Sequence, residues 1–410
     1  MRDGGRLAAA LAVIAELEAR HRPARAALRA WGESARFAGA KDRAFVSGLV
    51  LDVLRRRRSL AWRMGDDGPR AAVLAALRLL WDWSIDRIGD AAADEHGPGV
   101  LTEEERRALE APRDLAAAPD AVRGDYPDWL DAHLARVFGE GRAAEGEALA
   151  ARAPVDLRVN TLKTDAAHVI KALATFDAQP VGEPAAALRI AAPHASERAA
   201  PIEATPEFEK GWFEVQDLGS QIAAAAAGEV AHRQVLDFCA GGGGKTLVLA
   251  AAMANTGQLW AWDRDARRLA EVVRRGRRAG VRNLQVRSPT AADPLVALQG
   301  RMDVVFVDAP CTGSGTWRRH PDAKWRLTPA QLARRIAEQD VVLAGAAAFV
   351  KSGGRLVYVT CSVLAEENDD RIAAFLTAHG EFQIAGAPLR LTPLTTATDG
   401  FFIQVLERSP

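Results

Sequence analysis

Met302-Asp303-Val304-Val305-Phe306-Val307-Asp308-Ala309-Pro310-Cys311-Thr312-Gly313 and Arg355-Leu356-Val357-Tyr358-Val359-Thr360-Cys361-Ser362 are two short apolar runs, each closed by a cysteine and turn residues. Runs so rich in β-branched and aromatic residues predict strands buried on both faces of a parallel sheet. In open α/β sheets the ligand crevice lies beyond the carboxyl ends of the strands. Two thiols at two such ends are placed to meet over one substrate.

A free cysteine near neutral pH is only a few per cent thiolate, yet it is a strong nucleophile. A loop-to-helix junction or a nearby Arg or Lys raises the thiolate fraction. Cytosine C5 is a poor carbon nucleophile, and attack of a thiolate at C6 turns the ring into an enamine that takes a methyl group at C5. An acid near N3 stabilises the charge that develops, and Asp308, three residues before Cys311, suits that place. A base must then remove the C5 proton before the thiol leaves. Most free cysteines are simply small buried hydrophobes; a pair at matching strand ends favours chemistry.

Asp308-Ala309-Pro310-Cys311-Thr312-Gly313-Ser314-Gly315 and Thr360-Cys361-Ser362 resemble the two cysteine motifs of the Sun/Nop family of RNA (cytosine-5) methyltransferases. The run Arg318-Arg319-His320-Pro321-Asp322-Ala323-Lys324-Trp325 is similar to that of the family's ribosomal RNA members, as is the stretch from Cys361-Ser362-Val363-Leu364 through Glu366-Glu367-Asn368. The resemblance implies that Cys361 is the nucleophile and that Cys311 assists release of the product. It implies S-adenosylmethionine as cofactor and an RNA substrate, ribosomal RNA ahead of transfer RNA. It also implies a Rossmann-like α/β methyltransferase domain over 209–410. A small α/β RNA-binding extension over 146–208 and an all-helical NusB-like domain over 1–145 are expected to precede it.

The chain has 410 residues, enough for two or three domains at about 100–200 residues each, and 49% of them are hydrophobic, so a sizeable core is available. Lys+Arg and Asp+Glu are both 53, so global charge does not announce a nucleic-acid partner and local patches must. Three cysteines argue against a disulfide framework and for a reducing interior. Glu16, Glu18 and Arg20 interrupt the only apolar run near the start, so neither a signal peptide nor a membrane span is expected. The expectation is a soluble cytoplasmic monomer without a metal.

Residues 1–145 carry helical periodicity, with Leu7, Leu11, Ile14 and Leu17 on one face. Phe45, Leu49, Val53 and Leu54 repeat the pattern before Arg55-Arg56-Arg57-Arg58, which reads as a solvated helix end or, more sharply, an RNA phosphate contact. Arg36-Phe37-Ala38-Gly39 to Asp42-Arg43 resembles the NusB-like domain of some members. Residues 93–127 are acidic and punctuated by Pro and Gly, the pattern of an exposed connection or loosely packed helices. Val155 to Asn160 alternates like a strand, Thr164 to Phe176 follows as a helix, and Ala187 to Ile190 is a second strand. The family carries a Leu-Arg-Val-Asn signature here, which points Arg158, Asn160 and Lys163 toward an RNA backbone; surface polar residues on an edge strand are the plainer alternative.

Gln234 to Cys239 reads as a strand, Ala240-Gly241-Gly242-Gly243-Gly244 as a glycine loop and Lys245 onward as an apolar helix, an arrangement that lets backbone approach a ligand at a helix N-terminus. A P-loop needs glycine where Cys239 stands, and a dinucleotide fingerprint needs Gly or Ala where Thr246 stands, so both fail on spacing. The loop, Cys239 to Lys245, and Asp308 are taken as the S-adenosylmethionine site, with Asp263 at the end of the next strand for the ribose hydroxyls. Lys245 also lends electrostatic support to catalysis. The family loop reads Cys-Ala-Ala-Pro-Gly-Gly-Lys, and the glycine in place of proline frees the unfolded chain, costing roughly 0.4–1 kcal/mol. Asp293 is the nearest candidate for a further cofactor-contacting acid. The loop from Trp317 to Trp325, with Arg318, Arg319, His320 and Lys324, is expected to face RNA, since bases stack on indoles and arginine planes. Thr328-Pro329 opens a helix, and Phe382–Ile384 with Phe401–Leu406 form an antiparallel close to the sheet. Two other classes fit the same residues: a non-catalytic RNA-binding or assembly factor on this fold, betrayed by absent cofactor binding, and a methyltransferase for a different substrate without a covalent step, betrayed by a fully active Cys361→Ala.

Overall fold

A computed structural model of the chain describes residues 1–194, 197, 201–290 and 295–410, and these fall into two compact units. Among the described residues no helix is long and apolar enough to cross a membrane.

The helical unit comprises Met1–Arg152, a short piece around His194 and the segment Trp317–Leu327. Helices Asp3–Arg20, Ala40–Arg55 and Pro69–Leu79 supply most of its core. Leu7, Ile14 and Leu17 face inward as their spacing predicts, and Ala71 through Leu77 are all buried, so the last of these helices is enclosed on every side. Residues 93–127 are better packed than their composition suggests. Helix Glu103–Glu110 starts with a Thr102–Glu105 capping box, Arg70 binds Glu105 and the carbonyls of Pro98, Gly99 and Val100, and Leu109, Val122 and Tyr126 are buried.

The arginine run is not a solvated end. Arg55 donates to Asp52 and to the carbonyl of Arg318, Arg57 to Glu18, and Arg58 to the carbonyl of Tyr126 and to Asp128. Trp317–Leu327 also departs from expectation. The last carbonyls of a helix lack intrahelical donors, and at the end of Ala40–Arg55 this segment provides them: Trp325 Nε1 donates to Leu54 O at 2.7 Å and Lys324 Nζ to Arg55 O at 2.8 Å. Asp322 accepts from the backbone N–H of Ala24 at 3.2 Å. Trp317, Arg318 and Lys324 are buried. Of the four cations expected to face RNA, Arg318 and Lys324 are therefore corrected to structural residues of the helical unit; Arg319 is half-buried and His320 exposed.

The second unit holds two sheets. Strands β1 (Val155–Val159), β2 (Gln179–Pro180), β3 (Ala187–Ile190) and β4 (Phe213–Val215) form an antiparallel sheet in the order β2-β3-β1-β4. Helix Ala166–Ala172, shorter than its predicted span, buries Val169 with Leu157, Val159, Leu173, Leu188 and Phe213. Because β4 pairs with β1, this small sheet draws an edge strand from beyond residue 208.

The larger sheet contains β5 (Gln234–Asp237), β6 (Gln258–Trp262), β7 (Leu284–Arg287), β8 (Met302–Asp308), β9 (Val350–Thr360), β10 (Phe382–Ile384), β11 (Leu389–Leu391) and β12 (Phe401–Arg408). Its order is β10-β12-β9-β8-β5-β6-β7, with β11 also on β12. The pairs among β5 to β9 are parallel, and β12 runs antiparallel to β9, β10 and β11, as the closing strands predict. Val304, Phe306, Val357 and Val359 join one core, while Val305, Val307, Leu356 and Tyr358 join another. Successive side chains of β8 and β9 thus enter opposite layers, which is why both strands read as continuous apolar runs. Chain order reverses between β5 and β8, the switch point where such sheets bind ligands.

Burial pushes Lys324 down to about 7, with Asp125 opposing and Arg56 and Arg55 reinforcing the shift. The unfolded lysine keeps its proton to about 10.4, so above pH 7 the unfolded chain binds more protons and stability rises with pH. Denaturant midpoints of the full chain should climb between pH 7 and 9, by at most about 1.4 kcal/mol per pH unit for one proton. Lys324→Met should flatten that slope; equal slopes in both proteins would show that Lys324 titrates normally.

Candidate active site

Parallel pairing sets Asp308 of β8 level with Val359 of β9, and the N–H of Ala309 donates to Val359 O at 2.8 Å. Both chains then turn off the sheet at the same height. Cys311 Sγ lies 3.3 Å from Cys361 Sγ, within sulfur hydrogen-bond range, although 50 residues separate them. Gly315 N donates to Cys361 O at 3.0 Å, and a Cβ at Gly315 would sit 2.1 Å from Gly400 O, so only glycine lets the Cys311 loop rest on the turn before β12. The Cys361 sulfur, then burial, push the Cys311 thiol well above the ordinary range.

Asp308 stands beside the pair, half-exposed, with Lys245 Nζ donating to its Oδ2 at 2.7 Å. Burial pushes Lys245 down, but the charge and hydrogen bond of Asp308 outweigh it, so the ammonium is held above its ordinary value. The Lys245 Nζ also lies 5.3 Å from the centre of the Phe401 ring. Asp308, Lys245, Cys311 and Cys361 are thus gathered at the ends of β8 and β9 and the first turn of helix Gly244–Ala252.

The glycine loop joins β5 to that helix at the switch point. Gly243 adopts φ +85° as the cap of the helix, and a Cβ there would press on Val272 at 3.2–3.4 Å. Gly241 N donates to Asp263 Oδ2 at 2.9 Å, which fixes the loop to the end of β6. Asp263 Oδ1 accepts from Asp265 N at 2.8 Å, and a carboxylate retains further lone pairs for ribose hydroxyls. At Gly242 and Gly244 a Cβ would meet nothing closer than 3.7 Å, so an open glycine surface faces outward at a helix N-terminus, a setting that suits a ligand carboxylate. These residues fit S-adenosylmethionine. Cys239 is half-buried, and burial followed by the charge of Asp237 pushes its thiol well up, as befits a packed loop residue. Asp293 lies outside the described residues.

Sequence reasoning missed Asp237, although an acid ending the strand before a glycine loop was a readable signal. It lies beneath the loop, takes a 2.6 Å hydrogen bond from Thr246 Oγ1, and burial raises it to about 7. The half-buried Thr312 and the buried Gln339, Ser314, Ser362 and Glu367 were also missed; these partners are far apart in the chain, and no local pattern announces them.

The residues expected to meet RNA from the small sheet do something else. Arg158 is buried and donates from Nε to Gln216 Oε1 at 2.7 Å, while burial lowers its guanidinium to about 10. Asn160, also buried, donates to Gly211 O and Ala279 O, both at 2.8 Å, and Lys163 Nζ to Lys210 O at 2.8 Å. Glu214 on β4 binds Arg275 and Arg278. Arg158 and Asn160 are thus corrected to buried residues that hold the small sheet and its neighbouring chain in place, whereas Lys163 is exposed. Arg267, Arg268, Arg274 and Arg277 are exposed on the arginine-rich helix Ala266–Ala279.

Residues 226–407 match the family model for 16S rRNA methyltransferase RsmB/F, and residues 126–197 match the ferredoxin-like domain of RsmF/B-like methyltransferases. Ribosomal RNA small subunit methyltransferase B of Escherichia coli O6:K15:H31 (strain 536 / UPEC) is 33% identical over 312 residues, which are 74% of this chain and 71% of that one. The chain belongs to the RsmB/F methyltransferase family. A probable ribosomal RNA small subunit methyltransferase B of Synechocystis sp. (strain ATCC 27184 / PCC 6803 / Kazusa) is 29% identical across 90% of this chain and 92% of its own. The crystal structure of PH0851 shares the fold with a TM-score of 0.74 at 24% identity, covering 100% of this chain and 99% of that one. Members of this family use S-adenosylmethionine.

The two loop glycines should respond differently to substitution. Gly243→Ala forces a side chain into a left-handed position against Val272 and should lose about 1–2 kcal/mol of stability. Gly242→Ala makes only an ordinary contact with the Arg275 side chain at 3.7 Å and should change stability by less than about 0.5 kcal/mol. Urea titrations of the two variants would reveal equal losses if the loop were built otherwise.

Proposed function

We propose that this protein transfers a methyl group to C5 of a cytosine in ribosomal RNA through a covalent bond between Cys361 and C6. The observation that carries the proposal is the 3.3 Å approach of two thiols at the ligand end of the sheet, beside an Asp308–Lys245 pair and the glycine loop. The names of the relatives favour ribosomal over transfer RNA, and the small ribosomal subunit in particular.

In this reading the Cys361 thiolate adds to C6 and the displaced π electrons gather at C5. S-adenosylmethionine, when bound at the glycine loop, supplies the electrophilic methyl that C5 takes. Asp308, anchored through Oδ2 on Lys245, turns its other oxygen to the N4 amino edge of the base, from whose N–H it accepts, and so positions the ring, while the Lys245 ammonium offsets the negative charge that the addition brings. Solvent water takes the C5 proton while Cys311 assists the release, the electrons of the C5–H bond re-form the C5–C6 double bond, and the S–C6 bond breaks to regenerate the Cys361 thiolate. A stacked base must be extruded before such chemistry, so the target is flipped or already unpaired. The remaining expectations belong to the same proposal: a cytoplasmic monomer whose parts 1–145, 146–208 and 209–410 serve as helical, small-sheet and catalytic portions.

Incubation with unmodified ribosomal and transfer RNA, followed by nuclease digestion and mass analysis of nucleosides, tests this directly. Wild type should yield 5-methylcytosine from ribosomal RNA, Cys361→Ala none, and Cys311→Ala a protein–RNA adduct that survives denaturation. Full activity of Cys361→Ala would refute the covalent step, and preferential labelling of transfer RNA would reassign the substrate.

A further inference from the structure

Behind the two sulfurs lies a fully buried carboxylate, Glu367, at the end of the short 3-10 turn Ala365–Glu367. Its Oε1 accepts from the N–H of Thr312 at 2.8 Å and from Gln339 Nε2 at 3.0 Å, and its Oε2 from the hydroxyl of Thr312. The same Gln339 Nε2 reaches Pro310 O at 2.9 Å. The two residues that flank Cys311 are therefore both held by the Glu367–Gln339 pair. The next residue, Asn368, does the same for the other cysteine: its Oδ1 accepts from Thr360 Oγ1 at 2.6 Å, and its Nδ2 donates to Ser362 O at 2.9 Å. Tyr358 OH donates to Glu367 O at 2.7 Å, and the hydroxyls of Ser314 and Ser362 lie 2.9 Å apart, closing the frame between the loops.

A buried carboxylate is costly unless its oxygens are satisfied. Here the fixed N–H groups of Thr312 and Gln339 both point at one oxygen, a pattern that suits the anion. Burial holds Glu367 above the ordinary carboxylate range, and the hydrogen bonds of Ser362, Thr312 and Gln339 offset that only in part. The titratable groups facing Cys311 are Cys361 and Glu367, with Tyr358 on β9 close enough to feel its charge. Negative charge on Glu367 opposes negative charge on Cys311, the sulfur whose loop it grips.

We propose that Glu367 is a positioning residue that assigns the roles of the two thiols: it pins the Cys311 loop, and its carboxylate keeps the proton between the sulfurs on Cys311, so that Cys361 is the sulfur that attacks. This rests on the two-thiol reaction proposed above and adds a source of asymmetry between its sulfurs, beside the Lys245 ammonium that faces Cys361 and is unchanged in the variants below. The Cys311 S–H then donates across the 3.3 Å gap and stabilises the Cys361 thiolate. Glu367→Gln removes the charge at nearly constant volume. Thr312→Val removes one donor and leaves the charge, which then bears on Cys311 with less compensation.

Alkylation of the full chain by iodoacetamide between pH 6 and 10, resolved by peptide mass, tests the assignment without RNA or cofactor. In wild type Cys361 should react faster than Cys311 at pH 8. Glu367→Gln should narrow that ratio by about tenfold, the equivalent of one pKa unit, and Thr312→Val should widen it. An unchanged ratio in Glu367→Gln, or equal acceleration of both thiols as mere loosening would give, overturns the proposal. If far-UV circular dichroism shows Glu367→Gln unfolded, a narrowed or unchanged ratio in Thr312→Val overturns it instead. A protein that alkylates as expected yet makes no 5-methylcytosine would sink the proposed reaction and leave this assignment standing.

Discussion

The ladder between β8 and β9 is the constraint on which the site depends. A parallel pair has both carboxyl ends on one edge, so a cysteine three residues past Asp308 and another just past Thr360 leave the sheet side by side. A slip of one residue would exchange the faces of every side chain in the strand, and the two cores on either side of β8 and β9 forbid it. Apolar burial thereby sets the separation of two sulfurs that make no apolar contribution of note themselves.

That precision is carried outward by polar contacts at and behind the site. Lys245 and Asp308 compensate each other where either alone would be an unpaired charge. Glu367 and Asn368 spend buried hydrogen bonds on loop backbone, so the residues flanking each cysteine are fixed as firmly as the strands. The same economy recurs away from the chemistry. Lys324 and Trp325 cap a helix end, and Asn160 bridges two carbonyls, in each case by spending a polar group that could have faced solvent.

Much of this was legible in advance, and the reasons are physical. Period-two and continuous apolar patterns identified β8, β9 and the closing pair, and the Thr328–Pro329 cap identified the helix Pro329–Ala347. The cysteine motifs, the glycine loop and Asp263 stood at strand ends, where fold logic places ligands. The cations were misread because charge was taken as exposure. Arg158, Arg318 and Lys324 are buried, and for Arg158 and Lys324 a carboxamide or carbonyl distant in the chain, with the charges of Glu214 and Asp125, makes that burial tolerable.

By itself the sequence determined the class of sheet, the order of its strands' functions and the pair of thiols, because these depend on local periodicity and on short motifs. Tertiary structure alone decided that the sulfurs stand 3.3 Å apart, that Lys245 neutralises Asp308, that Glu367 grips the Cys311 loop, and that Trp317–Leu327 belongs with the helices. Each of these joins groups separated by tens to hundreds of residues. Their energies come from desolvation and from saturating buried donors and acceptors, quantities that have no value until the chain has closed around them.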